Sequence, residues 1–161
     1  MKDKISRRSF LAAAAVSAAA LAVSGCDAKM SKKEVTDITV WNYYNGDQLE
    51  SFNRLVSTFN ETIGKAKGIR VSSSSQGTVN DLEANVMDAA EGKVGSAEMP
   101  TIFAAYADTA YKLDQMGMVV DLKDYLTEDE KAAFVPGYIT EGDFDGSGSI
   151  KIFPVAKSTE L

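Results

Sequence analysis

The chain has 161 residues, a formal net charge of -6, and 45% hydrophobic against 25% charged residues. That balance suits one globular domain, argues against disorder, and disfavours a nucleic-acid partner, because phosphate binding needs a basic face. With no histidine and a single cysteine, the chain excludes histidine-based triads, the commonest zinc ligands, an internal disulfide and any CxxC metal or redox site.

Residues 1–26 read as an address rather than as fold. Lys2, Lys4, Arg7 and Arg8 precede Phe10–Val23, an apolar, alanine-rich run that is short for a membrane span. Ser6-Arg7-Arg8-Ser9-Phe10-Leu11 resembles a twin-arginine export signal, and Leu21-Ala22-Val23-Ser24-Gly25-Cys26 resembles a bacterial lipobox. The lipobox implies cleavage before Cys26 and acylation of that cysteine, which would hold the mature chain to a membrane. A plain secretory signal with an incidental cysteine is the alternative. Residues 27–36 form a polar tether rich in Lys and Ser, and residues 37–161 form the folded part.

Ile38-Thr39-Val40-Trp41 predicts a first strand, running into an aromatic, polar loop and the turn signal Asn45-Gly46. Asp47–Gly64 predicts a helix, with Leu49, Phe52, Val56, Phe59 and Ile63 on one apolar stripe, Asp47 and Glu50 at capping-box spacing, and Gly64 as the stop. Ile69–Ser73 predicts a second strand and a serine-rich loop after it. Asn80-x-x-Glu83 is a capping signal for a second helix carrying Leu82, Val86 and Ala90.

Pro100–Ala105 suits a central strand buried on both faces. Its loop carries Tyr106 and Asp108, followed by a short helix with Ala110, Leu113 and Met116 inward and Gly117 as its cap. Met116 and Met118 read as core, Leu122–Leu126 and Thr127–Phe134 as helical, Pro136-Gly137 as a break, and Ile150–Val155 as a final strand. Asp143, Asp145, Ser147 and Ser149 alternate like the start of a calcium loop, but Pro154 stands where a bidentate Glu is needed, so a glycine-rich turn is the better account. The order βαβαβα predicts an α/β fold with a mainly parallel sheet and right-handed crossovers.

In such a sheet, ligands bind beyond the carboxyl ends of the strands. If the first and third strands are neighbours, Trp41, Tyr43 and Tyr44 face Tyr106 and Asp108 across one crevice. Flat aromatics with carboxylates and amides suit sugars: a ring stacks on the C–H face, and polar groups reach the hydroxyls. Trp41 could equally be core, and Asp47 and Asp108 could simply be helix caps.

Ile-Thr-Val-Trp-Asn, Pro-Thr-Ile-Phe-Ala-Ala-Tyr, Gln115–Leu122 and Ile152–Leu161, in this order behind a lipobox, resemble the extracellular solute-binding proteins of ABC importers. The nearest subgroup is the one containing maltose- and glycerol-phosphate-type binders. The resemblance implies a periplasmic-binding-protein-like (type II) lobe, two of which close on ligand around a hinge. It also implies that this chain is an N-terminal fragment ending before the second lobe. Ligand contacts implied are Tyr43, Tyr44 and Asp47 after the first strand, Tyr106 and Asp108 after the third, and Ser158, Thr159 and Glu160 near the hinge. Where the maltose-type pattern has a Trp near the end of the third strand this chain has Ala105, a departure from a maltodextrin site.

The expected function is therefore a substrate-binding lipoprotein: a monomer without cofactor, metal or catalysis. Its partners would be a small solute, permease subunits and, through Cys26, the membrane face outside the cytoplasm. A secreted glycan hydrolase using Asp47 and Asp108, or a ligand-sensing lipoprotein, are the alternatives.

Overall fold

The computed structural model describes residues 35–155; the expected signal peptide, Cys26, residues 27–34 of the tether, and Ser158, Thr159 and Glu160 lie outside the described residues. The elements are β1 (Thr36–Asn42), α1 (Gly46–Phe59), a π-helical turn (Asn60–Gly64), α2 (Lys65–Lys67), β2 (Ile69–Ser75), α3 (Val79–Ala90), β3 (Ile102–Phe103), α4 (Ala107–Gln115), a 3-10 turn (Lys123–Tyr125), α5 (Glu128–Ala132) and α6 (Pro136–Ile139). The three strands form a parallel sheet in the order β2-β1-β3.

The central strand is β1, not the Pro100–Ala105 segment. β1 pairs with β2 along its whole length, from Thr36 opposite Ile69 to Asn42 opposite Ser75. Its ladder with β3 has only Val40 opposite Ile102 and Trp41 opposite Phe103. Side chains replace the ladder just before it: the Thr101 amide donates to Thr39 Oγ1 at 2.9 Å, and the Thr39 amide to Thr101 Oγ1 at 3.3 Å. β3 is thus a short edge, with Ile102 exposed. β2, by contrast, outruns its expected end, because Ser74 and Ser75 stay paired with Trp41 and Asn42.

The long helix does not stop at Gly64. Asn60 grips the edge of the sheet, its Nδ2 donating to Val71 O and its Oδ1 accepting from Val71 N, both at 2.8 Å. The π-turn there inserts an extra residue into the helical register. Leu49, Phe52, Val56 and Phe59 remain half-buried, but Ile63 is rotated out to solvent and Gly64 is buried in its place. The chain turns at Gly68, whose φ of 73° is the left-handed conformation glycine tolerates.

The caps also differ from expectation. Asn45, not Asp47, precedes the first turn of α1. The capping box of α3 is Thr78 with Asp81, two residues earlier than Asn80 and Glu83. Thr127 and Glu130 form the expected box at α5, and Pro136 opens α6 instead of breaking a helix.

The core sits between the sheet and the α3–α4 layer. Leu82, Val86 and Leu113 are fully buried, with Trp41, Tyr43 and Phe103 packed against them. Ala110 is buried as expected and Gly117 caps α4 with φ 71°, but Met116 and Met118, just beyond, are exposed rather than core. Ile150–Val155 is not a strand: the Leu122 amide donates to Ile150 O at 2.9 Å, but the Ile150 amide is taken by Asp121 Oδ1 at 2.9 Å, so no ladder can continue.

Candidate functional site

The loop after β1 is welded to the end of β2. Asn42 is buried at 2% exposure; its Nδ2 donates to Ser73 Oγ at 2.9 Å and its Oδ1 accepts from the Tyr44 amide at 3.0 Å. The Gln76 amide donates to Asn42 O at 2.8 Å, and Ser75 Oγ donates to Tyr44 O at 2.8 Å. The serines after Val71 are therefore scaffold: they hold the carboxyl edge in one geometry.

On that scaffold stand aromatic rings. Tyr44 lies 5.5 Å from Tyr43 and 5.2 Å from Phe52 of α1, both tilted. Tyr43 leans on the buried cluster, and burial raises the pKa of its hydroxyl, with the neighbouring Tyr106 and Tyr44 adding to the rise. Tyr106 precedes α4 and is 58% exposed. β1 and β3 are neighbours, so the paired rings of Tyr43 and Tyr44 after β1 and the exposed Tyr106 after β3 stand on one carboxyl edge of the sheet.

Asp47 and Asp108 occupy the first turns of α1 and α4, where a carboxylate is favoured by the helix dipole. Neither is the residue that caps its helix; both are exposed. Ala105, next to Tyr106, is half-buried. Ser158, Thr159 and Glu160 are outside the described residues.

Sequence reasoning missed a polar cavity of about 370 Å³ beside Trp41, lined also by Gln76, Asn85, Asp88, Lys93 and Ser96. Its wall is a chain of amides: Asn85 Nδ2 donates to Gln76 Oε1 at 3.0 Å, and Gln76 Nε2 to Ser74 Oγ at 3.0 Å. Two features of the sequence could have signalled it. Asn85 and Asp88 are three apart and share a helix face, and Gln76 follows directly on β2.

Among the described residues, no group of three or more acidic or cysteine side chains could hold a metal. The carboxylates that alternate after Asp143 serve their own turn. Asp143 accepts from the Gly148 amide at 3.1 Å, and Asp145 from the Ser147 amide at 3.1 Å. No helix among the described residues is long and apolar enough to cross a membrane.

No family model and no curated protein matches the chain. Among solved structures it is similar to the crystal structure of cyclic alpha-maltosyl-1,6-maltose binding protein from Arthrobacter globiformis, with a TM-score of 0.57 and 20% sequence identity. The match covers 70% of this chain and 27% of that one. At that identity the likeness is one of fold. The described residues form an α/β lobe of the periplasmic-binding-protein-like kind, with a parallel sheet flanked by helices.

Proposed function

We propose that the chain is the first lobe of a substrate-binding lipoprotein of an ABC importer, and that it captures a sugar or related small solute outside the cytoplasm. The observation that carries this reading is the placement of Tyr43, Tyr44 and Tyr106 on one carboxyl edge of a parallel sheet in a lobe of this fold. Three rings with hydroxyl tips offer both stacking surface and hydrogen bonds to a polyhydroxyl ligand. Asp47 and Asp108 stand exposed in the first turns of α1 and α4, and Ser158, Thr159 and Glu160 would add hinge-side contacts.

In this reading the protein does no chemistry. Solute binds between this lobe and a second one and stabilises the closed state by its higher affinity for it, and the permease reads that state. A lipid on Cys26 would keep the monomeric binder at the membrane face. A glycan hydrolase needs two carboxylates in environments that drive them to opposite protonation states. Asp47 and Asp108 are both exposed in first helical turns, so they have like environments.

The test is thermal unfolding of the chain, started after Cys26, against mono- and oligosaccharides, polyols and phosphoesters. A ligand at a hundredfold excess over its Kd stabilises by about 2.7 kcal/mol. One sugar raising the midpoint without product formation supports the binder. A flat response to every sugar removes the carbohydrate assignment, and accumulating product replaces the binder with the hydrolase.

A further inference from the structure

We infer that the cavity beside Trp41, lined by none of the three rim tyrosines, is a second binding site, for one uncharged polyhydroxylated ring. It deepens the solute-binding reading and rests on it for the ligand class, while its walls are independent of that reading.

All the walls lie in this one lobe. Trp41 comes from the end of β1, Gln76 from the turn after β2, Asn85 and Asp88 from α3, and Lys93 and Ser96 from the loop after it. The cavity, at about 370 Å³, is in the lower part of the range of small-molecule sites.

The loop that bounds the cavity is already folded against α3. Gly92 and Gly95 adopt φ of 63° and 87°, which lets the chain double back. The Lys93 amide donates to Asp88 O at 3.0 Å, and Ser96 Oγ donates to Lys93 O at 2.8 Å. A wall ordered before binding loses little entropy when a ligand arrives.

The chemistry of the lining selects the ligand. Lys93 Nζ lies 2.6 Å from Asp88 Oδ1 and 3.2 Å from Glu91 Oε2, so the cation is already matched by two carboxylates. A phosphate would meet a net negative surround, and a second cation would compete with Lys93. A neutral ring avoids both costs. Gln76 and Asn85 use one hydrogen bond with each other and keep further donor and acceptor capacity for hydroxyls. Trp41, half-buried against the core, adds an indole next to them.

Trp41 is the chain's single tryptophan, so tryptophan emission reports from one position, in the lining of this cavity. The probes are glucose, maltose and glucose 6-phosphate, titrated into the intact chain with both tryptophan emission and calorimetry followed. The expected result is a saturable change in emission with a neutral sugar, weakened about tenfold in Asn85→Ala, retained in Tyr106→Ala, and at least about tenfold weaker for the phosphorylated probe. Asn85 is exposed on its helix and alanine favours helix, so this variant keeps the fold.

Heat of sugar binding lost in Tyr106→Ala, with emission unmoved, overturns the cavity and leaves the proposed function standing. An emission change that survives Asn85→Ala at full affinity also overturns it. No heat and no emission change with any of the three overturns both the cavity and the carbohydrate reading.

Discussion

Asn42 is the residue on which the tyrosine rim depends. It is buried at the end of the central strand, and both ends of its amide are engaged by neighbours on two different segments. Asn42→Ala leaves the Tyr44 amide and the Ser73 hydroxyl short of a partner in a half-buried place. The expected cost is about 2 kcal/mol, read as a lower urea midpoint, together with weaker binding of whatever ligand the rim takes. Gly64 is a different kind of requirement. A Cβ there would sit 2.6 Å from Ile69 O and 3.0 Å from Phe59 O, and these backbone atoms move only if the sheet edge or the end of α1 shifts. Gly64→Ala should destabilise by about 1–3 kcal/mol. Gly137→Ala, with open space around it and ordinary helical φ, should be neutral or slightly stabilising in the same urea series. Equal effects at the two glycines would remove the steric argument.

Elements show where their sequence cues compete. The α1 stripe was legible through Phe59 because apolar spacing alone sets it, but the turn that follows answers to Asn60 and its two bonds to Val71, a contact across the chain that no local pattern encodes. Asn60→Ala should therefore release the π-turn and expose two backbone groups of β2, at about 2–3 kcal/mol, with amide exchange at Val71 rising before exchange at Leu82. The same competition moved the start of α3. Asn80 and Glu83 match the capping spacing as well as Thr78 and Asp81 do, and only the path of the chain out of β2 decides between them. Thr78→Ala should cost about 1 kcal/mol. The Asp81 carboxyl is held below its usual range by the Thr78 hydroxyl and amide, so its share of stability is present at neutral pH and lost as pH falls through that lowered value. Acid unfolding of Thr78→Ala should accordingly show a shallower dependence on pH than that of the parent chain. The tyrosine rim was readable because strand ends and loops are local features. The Trp41 cavity was not, since Gln76, Asn85 and Lys93 meet only after β2 and α3 are placed.

For the lobe as a whole, the open question is what ties the segment after α4 to the sheet-bearing part, since the fully buried side chains belong to β1, α3 and α4. Two electrostatic latches bear on it: one braces the segment against itself, and the other ties it to α4. Asp121 accepts from the amides of Ile150 and Lys123, both at 2.9 Å, and those two bonds, Ile150's first, hold its carboxyl below the usual range. Lys151 donates to Asp114 of α4 at 2.6 Å, and that bond raises the lysine, with Asp121 and Asp145 acting in the same sense. The signs are opposite. The aspartate's contribution is complete above its unfolded pKa of about 3.9 and disappears as pH falls through the lower folded value. The lysine's contribution is complete below its unfolded pKa of about 10.4 and disappears as pH rises through the higher folded value. Between about pH 5 and 9 both latches are closed, so the amide resonances of Ile150 and Leu122 should stay constant there. Below about pH 3.9 the Ile150 amide should move with the protonation of Asp121, and Asp121→Asn should abolish that titration while leaving the alkaline one in place. Lys151→Met should do the reverse. If the Ile150 amide ignores acid in the parent chain, the Asp121 carboxylate is a bystander, and the segment relies on the Lys151–Asp114 bond and the packing of Ile139 and Ile150.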